Sequence, residues 1–280
     1  VALENVVGLL HSHDGEDFNA VVNSLIELGY TCGSFVIDAA RFIPQSRPRT
    51  FIIAVREGLE IPSSLVQSRP QLDIVPERLL RNYEKLSPES KEKWVWYSLN
   101  APLKRTSHLS DILEASPSVK WHDDKVNARL LELMSPSHRE LVDRAIENGK
   151  ELVGTIYKRT RKVDGKSQQR AEIRIDGTAG CLRTPTGGSS KQHLFVVKDG
   201  VFKARWFTSR EIARLMGLPE NYTMPENYND AYYLVGDGLA VPVVSFIEKN
   251  LFTNILSEQP QPAEQTDGII TRQTQPVYAN

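Results

Sequence analysis

Four places in this 280-residue chain carry residue types whose spacing could do chemistry. Glu4-Asn5-Val6 lies between a strand signal and a helix signal. Ligands in open α/β sheets gather at the carboxyl ends of strands. A carboxylate there could serve as an acid or a hydrogen-bond partner if its pKa is raised. Taken alone, the tripeptide reads as a surface glutamate at a strand end. Ile43 to Arg49 puts Arg47 and Arg49 at alternate positions of an extended segment, so both guanidinium groups point the same way. Their forked donors suit a phosphate or a base edge, and the plainer alternative is a solvated basic loop. Arg205 to Pro219 has the spacing of a capped amphipathic helix, with Thr208 as cap, Glu211 completing a capping box, and Ile212, Leu215 and Met216 as the buried stripe. Gly236 to Pro242 reads either as a glycine turn into a core helix or as backbone approaching a small polar ligand.

The elements that must position these residues fall into three blocks. Residues 1–56 alternate strand and helix signals. Glu16 to Leu28 stacks Phe18, Val21, Val22, Leu25 and Ile26 on one helical face, and Gly29 can stop that helix. Ser34 to Ile37 and Thr50 to Val55 are short and β-branched, as buried strands are. This pattern predicts part of an α/β sheet with crossover helices. Residues 57–200 are first punctuated by prolines. They then show helices from about Asp124 to Met134 and from Ser137, capped through Glu140, to Gly149. Lys158 to Arg174 follows, with seven Lys or Arg against Asp164 and Glu172. After it comes a glycine-rich turn, Thr186 to Ser190. Residues 201–256 return to compact structure, with a last helix from about Pro242 to Leu251. From about Ser257 the chain is rich in Gln and Pro, and a disordered tail is expected there.

Composition narrows the function classes. With 40% hydrophobic and 25% charged residues, the chain reads as a globular protein with a real core. No unbroken apolar run approaches the roughly 18 residues of a membrane span, so no membrane partner is expected. Cys32 and Cys181 make neither a disulfide framework nor a four-ligand zinc site, so no metal is expected and a reducing cytoplasm is the default. The chain opens at Val1 inside an apolar run, which suggests a cut or processed start. The net charge of −1 gives no global field toward nucleic acid, so any such role rests on local basic patches.

Taken in order, the four motifs resemble the later motifs of DNA cytosine-5 methyltransferases. Glu4-Asn5-Val6 looks like the family's ENV, and Gln45, Arg47 and Arg49 match its QxRxR. Arg205 to Pro219 is similar to RxLTxxExxRLxGxP with Phe207 for Leu, and Gly236 to Val241 resembles GNxVxxxV with Asp237 for Asn. Asp176 to Arg183 is similar to an A-x-T-L element, with Cys181 where Thr is common. The family's cofactor loop and Pro-Cys nucleophile, which normally precede ENV, have no match here.

The resemblance implies a carboxyl-terminal part of such an enzyme. Its fold would be α/β: a partial Rossmann-like catalytic domain over residues 1–56 and 230–256, a target-recognition domain inserted at 57–229, and the tail 257–280. It implies methyl transfer from S-adenosylmethionine to C5 of a cytosine flipped out of double-stranded DNA, in the cytoplasm at the nucleoid. Glu4 would serve the cytosine N3, Arg49 its O2, and Arg47 the catalytic loop or a phosphate. Asp237, Gly238 and Leu239 would border the cofactor. Arg170, Arg174, Arg183, Gly187, Gly188 and Ser189 would meet DNA. The missing amino-terminal half is expected in cis or as a second subunit. The competing expectation is a non-catalytic DNA-binding module or decayed remnant.

Overall fold

The computed structural model describes residues 1–257 apart from Leu103, Asp164 and residues 185–190. Gly187, Gly188, Ser189 and residues 258–280 of the expected tail therefore lie outside the described residues.

The first lobe begins with strand β1 (Ala2–Val6), which carries Glu4. Helix α1 (Glu16–Glu27) buries Phe18 and Val22, and Gly29 closes it with a φ of 80°. Strands β2 (Tyr30–Asp38) and β3 (Pro48–Arg56) follow. Sheet order is β1-β3-β2, and β3 is antiparallel to both neighbours. The α1 crossover returns β2 parallel to β1, but one strand's width away. Strand β3 fills the gap by a tight return. Asp38 holds that return, accepting from the backbone N–H of Ala40 at 3.0 Å and Arg47 at 2.7 Å.

Residues beyond 56 still belong to this lobe. Strand β4 (Val66–Gln67), helices α2 (Glu77–Glu84) and α3 (Pro88–Glu92) and strand β5 (Trp96–Tyr97) wrap the edge of β2. Leu65, Ile74, Leu79, Trp94 and Tyr97 share one core with Phe18, Phe35 and Ile52. The break between lobes therefore falls near residue 100, not at 56. The prolines punctuate a surface path whose apolar side chains cover β2. Gly33 permits this close cover, because a Cβ there would overlap the Val95 carbonyl and the Tyr97 ring.

The second lobe opens with helices α4 (Asp124–Glu132) and α5 (Pro136–Glu147). Ser135, not Ser137, caps α5, because Pro136 occupies the first turn and needs no N–H partner. Strands β6 (Leu152–Val163), β7 (Lys166–Arg174), β8 (His193–Lys198) and β9 (Val201–Trp206) form an antiparallel sheet in the order β7-β6-β8-β9. Helices α6 (Ser209–Leu215) and α7 (Tyr228–Asp237) pack beside it.

The Arg205 to Pro219 motif is a folding device. Thr208 accepts from the Glu211 N–H, and the Glu211 carboxylate accepts from the Thr208 N–H, closing the expected capping box. Glu211 is fully buried and takes two bonds of 2.7 Å from Arg205, plus one of 2.9 Å from the Glu114 N–H. Trp121 lies on the Arg205 guanidinium at 5.1 Å.

The chain then returns through Gly238 to Ala240 into helix α8 (Val241–Ile247), a π-helical turn at Glu248–Phe252, and helix α9 (Thr253–Ser257). Val243, Ile247, Leu251 and Ile255 rejoin the first core. By length and composition Tyr228–Ser257 passes the test for a membrane-crossing helix, with a mean hydropathy of 1.3 over an 18-residue stretch within it. Its apolarity has a packing cause: Ala231, Tyr232 and Val235 serve one core and the later residues another, with a break at Gly238.

Candidate active site

The site lies where the β2–β3 return meets the second lobe. In the β1–β3 register Glu4 faces Phe51 and Val6 faces Arg49, a step that sets the two charged side chains side by side. Arg49 Nε donates to Glu4 Oε1 at 2.7 Å. The pair borders a narrow cleft lined also by Ile37, Phe51, Leu239 and Val244. Arg49 Nη1 is held by the Pro48 carbonyl at 3.0 Å, and Nη2 lies 3.5 Å from Cys181 Sγ.

Arg47 points to the same side, as alternation requires, but serves another purpose. It is 3% exposed. It donates to the carbonyls of Leu182 at 2.9 Å, Gly236 at 3.1 Å and Gly238 at 2.7 Å. Burial lowers its affinity for a proton, and the neighbouring Arg49 charge adds to that shift while Glu4 opposes it. Arg47 thus ties the backbone at Leu182 and at the Gly236–Gly238 turn around Arg49, while its Nε is buried without a partner and out of reach of a phosphate. Gln45 completes this seam. It is fully buried, donates to the Leu215 carbonyl and accepts from the Leu182 N–H at 3.0 Å.

The remaining sequence candidates are spread out. Asp237 and Leu239 are exposed at the α7–α8 break, while the Gly238 carbonyl is taken by Arg47. Gly236 is glycine for a spatial reason, since a Cβ there would strike the backbone of Arg183 and Thr184. Arg183 is exposed beside this contact, and Arg170 is half-buried on the basic hairpin. Arg174 is engaged by Asp176 through contacts of 2.8 to 3.1 Å.

Three features escaped the sequence reading. Cys181 is half-buried with its sulfur against both arginines. Tyr157 lies over Gly180, where a Cβ would overlap its hydroxyl, and burial pushes its phenol up to about 12. Asp38 anchors the return that carries Arg47. Only Gly180 left a trace in the sequence, as a glycine with no turn to explain it. Cys32 is fully buried, and burial pushes its thiol up to about 11. Among the described residues no cluster could hold a metal ion.

A guanidinium and a carboxylate in contact at the mouth of a cleft present adjoining hydrogen-bonding groups to a flat polar ring. The model of the C-5 cytosine-specific DNA methylase family matches residues 1–253. The type II methyltransferase M.MspI of Moraxella sp is 25% identical over 252 residues, covering 89% of this chain and 44% of that protein. The type II methyltransferase M.SsoII of Shigella sonnei is 25% identical over 265 residues, covering 90% of this chain and 52% of that protein. The chain spans about half the length of the curated relatives it matches. Among solved structures, the S. pombe Dnmt2 methyltransferase aligns with a TM-score of 0.45 at 15% identity, over 91% of this chain and 66% of that one.

Proposed function

The chain belongs to the C-5 cytosine-specific DNA methylase family, and we propose that it is the carboxyl-terminal part of a DNA cytosine-5 methyltransferase that works together with an amino-terminal half. The observation that carries this reading is the Glu4–Arg49 pair at the mouth of the cleft between the first sheet and the Leu239–Val244 segment.

On this reading a cytosine leaves the duplex and enters the cleft. Arg49 donates to the base O2 while its Nε keeps Glu4 in place. Glu4 holds a proton at N3, which lowers the barrier as a thiolate adds electron density to the ring at C6. Arg47 acts as a positioning residue, because both its Nη atoms are spent on carbonyls and its Nε is buried. S-adenosylmethionine supplies the methyl group when bound. This chain's residues fit one wall of that site: exposed Leu239 and Val244 offer apolar surface beside Glu4, and exposed Asp237 suits a cationic end. Double-stranded DNA is the substrate, and the protein works in the cytoplasm at the nucleoid.

Two things support the complementing half. Strand β1 pairs with β3 alone and exposes Val1, Leu3 and Val6. Leu239, Val241 and Val244 expose a second apolar strip. A sheet edge and bare apolar surface of this kind call for cover. The attacking thiol would come from the same half, since Cys32 is buried in the core and Cys181 lies against Arg47 and Arg49.

The test is transfer of radiolabelled methyl groups to duplex DNA, with and without an amino-terminal half taken from a relative. Transfer is expected only in the mixture, and Glu4→Gln should lower it by at least about a hundredfold, the usual loss of a proton-handling group. No transfer in any mixture would leave a non-catalytic DNA-binding module.

A further inference from the structure

The chain from Thr178 to Arg183 runs from the second lobe into the candidate site and is held residue by residue. Ala179 faces the first lobe: its N–H donates to the Pro44 carbonyl at 2.8 Å, and its carbonyl accepts from the Ser46 N–H at 2.9 Å. Gly180 turns to the other side, as successive residues of an extended segment do, and meets the side chain of Gln192. Gln192 Oε1 accepts from the Gly180 N–H at 3.0 Å, and Nε2 donates to the Gly180 carbonyl at 2.9 Å. A carboxamide carries donor and acceptor on one end, so it pairs with both backbone groups of one residue as a neighbouring strand would.

Gln192 is itself anchored. It is fully buried, and its own N–H donates to the fully buried Tyr232 Oη at 3.2 Å. Tyr157 presses on Gly180 from a third direction, where a Cβ would overlap its hydroxyl. The next residue is Cys181. Its sulfur lies 3.5 Å from both Arg47 Nη1 and Arg49 Nη2, and its S–H points to the Leu182 carbonyl at 3.3 Å. Gln192 therefore fixes the peptide from which the sulfur behind Arg49 is hung.

We propose that Gln192 is a positioning residue of the candidate site: it fixes Gly180, hence the Cys181 sulfur, and hence the angle at which Arg49 presents Nη2 beside Glu4. The inference rests on reading Arg49 as the donor to the base. Arg49 is already held on Nε by Glu4 at 2.7 Å and on Nη1 by the Pro48 carbonyl at 3.0 Å. A planar fork held on two edges needs only its third to be placed. Sulfur is a weak acceptor, so it steers Nη2 and still yields it to a base oxygen.

The experiment is Gln192→Met, which keeps the length and volume of the side chain and removes the amide. Hydrogen exchange is followed by nuclear magnetic resonance on the full chain. The Gly180 N–H should exchange about five- to a hundredfold faster, the scale of a buried hydrogen bond left unmade. The Arg49 Nε–H, assigned by its loss in Arg49→Lys, should exchange about two- to fivefold faster, the scale of a partly exposed charged contact. The Ala171 N–H, bonded to the Leu133 carbonyl at 2.9 Å on the outer strand of the same lobe, should keep its rate. In mixtures that transfer methyl groups, kcat should fall about ten- to a hundredfold with the KM for DNA within about twofold, as for a misplaced reacting group. In a Cys181→Ala background the same change should cost less than about twofold, because the link is already cut. Gln192→Asn, whose amide falls one methylene short, should reproduce the exchange changes and serves if Gln192→Met does not fold. An unchanged Gly180 N–H or Arg49 Nε–H, an equal acceleration of the Ala171 N–H, a raised KM with kcat unchanged, or a full kcat loss kept in the Cys181→Ala background would each overturn the proposal. The exchange measurements need no amino-terminal half, so failure of this tie and failure of the methylation reading give different results.

Discussion

Replacing Arg47 by Met tests whether this arginine is a structural tie. Met keeps most of the apolar stem and removes the donors. Arg47 donates at 2.9, 3.1 and 2.7 Å to the carbonyls of Leu182, Gly236 and Gly238. Leu182 is fully buried, whereas Gly236 and Gly238 are half-buried and can recruit water. The buried carbonyl loses about 1–3 kcal/mol and the other two a fraction of that, while the variant no longer desolvates a charge. The net loss should be about 1–3 kcal/mol, set mainly by the stranded Leu182 carbonyl. At ~2–4 °C per kcal/mol for a chain of this size, the midpoint falls by roughly 2–12 °C. Thermal unfolding should be followed by far-ultraviolet circular dichroism and by tryptophan emission. Trp94 and Trp96 report on the first lobe, Trp121 and Trp206 on the second. Because the tie joins the lobes, the two signals should also separate in the variant. Arg47→Lys should fall in between, since one ammonium cannot span carbonyls placed for a fork. A midpoint for Arg47→Met within about 1 °C of wild type, against the roughly 2–12 °C expected from the same scale, would refute the tie.

Other perturbations follow from the same geometry. Glu211→Ala strands a buried guanidinium and two backbone N–H groups, so urea unfolding should show a loss of about 3–5 kcal/mol. His193 is stacked on Trp206 and bonded to His122 at 2.9 Å; burial first, then His122 and Lys158, push it down to about 3. An unfolded His193 takes a proton near pH 6.5 and the folded one does not, so the folded state loses stability as pH falls from about 6.5 toward 3. At pH 5 this amounts to about 2 kcal/mol, and stability curves of His193→Gln should lack that slope. Gly180→Ala forces Tyr157 aside and should cost about 1–3 kcal/mol; Tyr157→Leu should restore much of it in a double-mutant cycle by calorimetry.

Much of the site was legible in the residue order, because the interactions that encode it are local. The capping box of Thr208 and Glu211 spans three residues, and the α1 stripe ends at a glycine that a helix stop demands. Strand alternation placed Arg47 and Arg49 on one side, and both guanidinium groups do reach Cys181. Family motifs added the pairing of Glu4 with Arg49, which no local rule supplies across 45 residues. Other features depend on partners far along the chain. The same alternation cannot say that Arg47 ends on three carbonyls while Arg49 meets a carboxylate, since those acceptors arrive from residues 182, 236, 238 and 4. Proline spacing suggested a lobe boundary at 56, but apolar side chains as far as Leu99 are drawn onto β2 by burial. A period of two tells which residues share a face of a strand and not which strand lies beside it. The insertion of β3 between β1 and β2, and the cleft it opens, were therefore decided by tertiary packing alone.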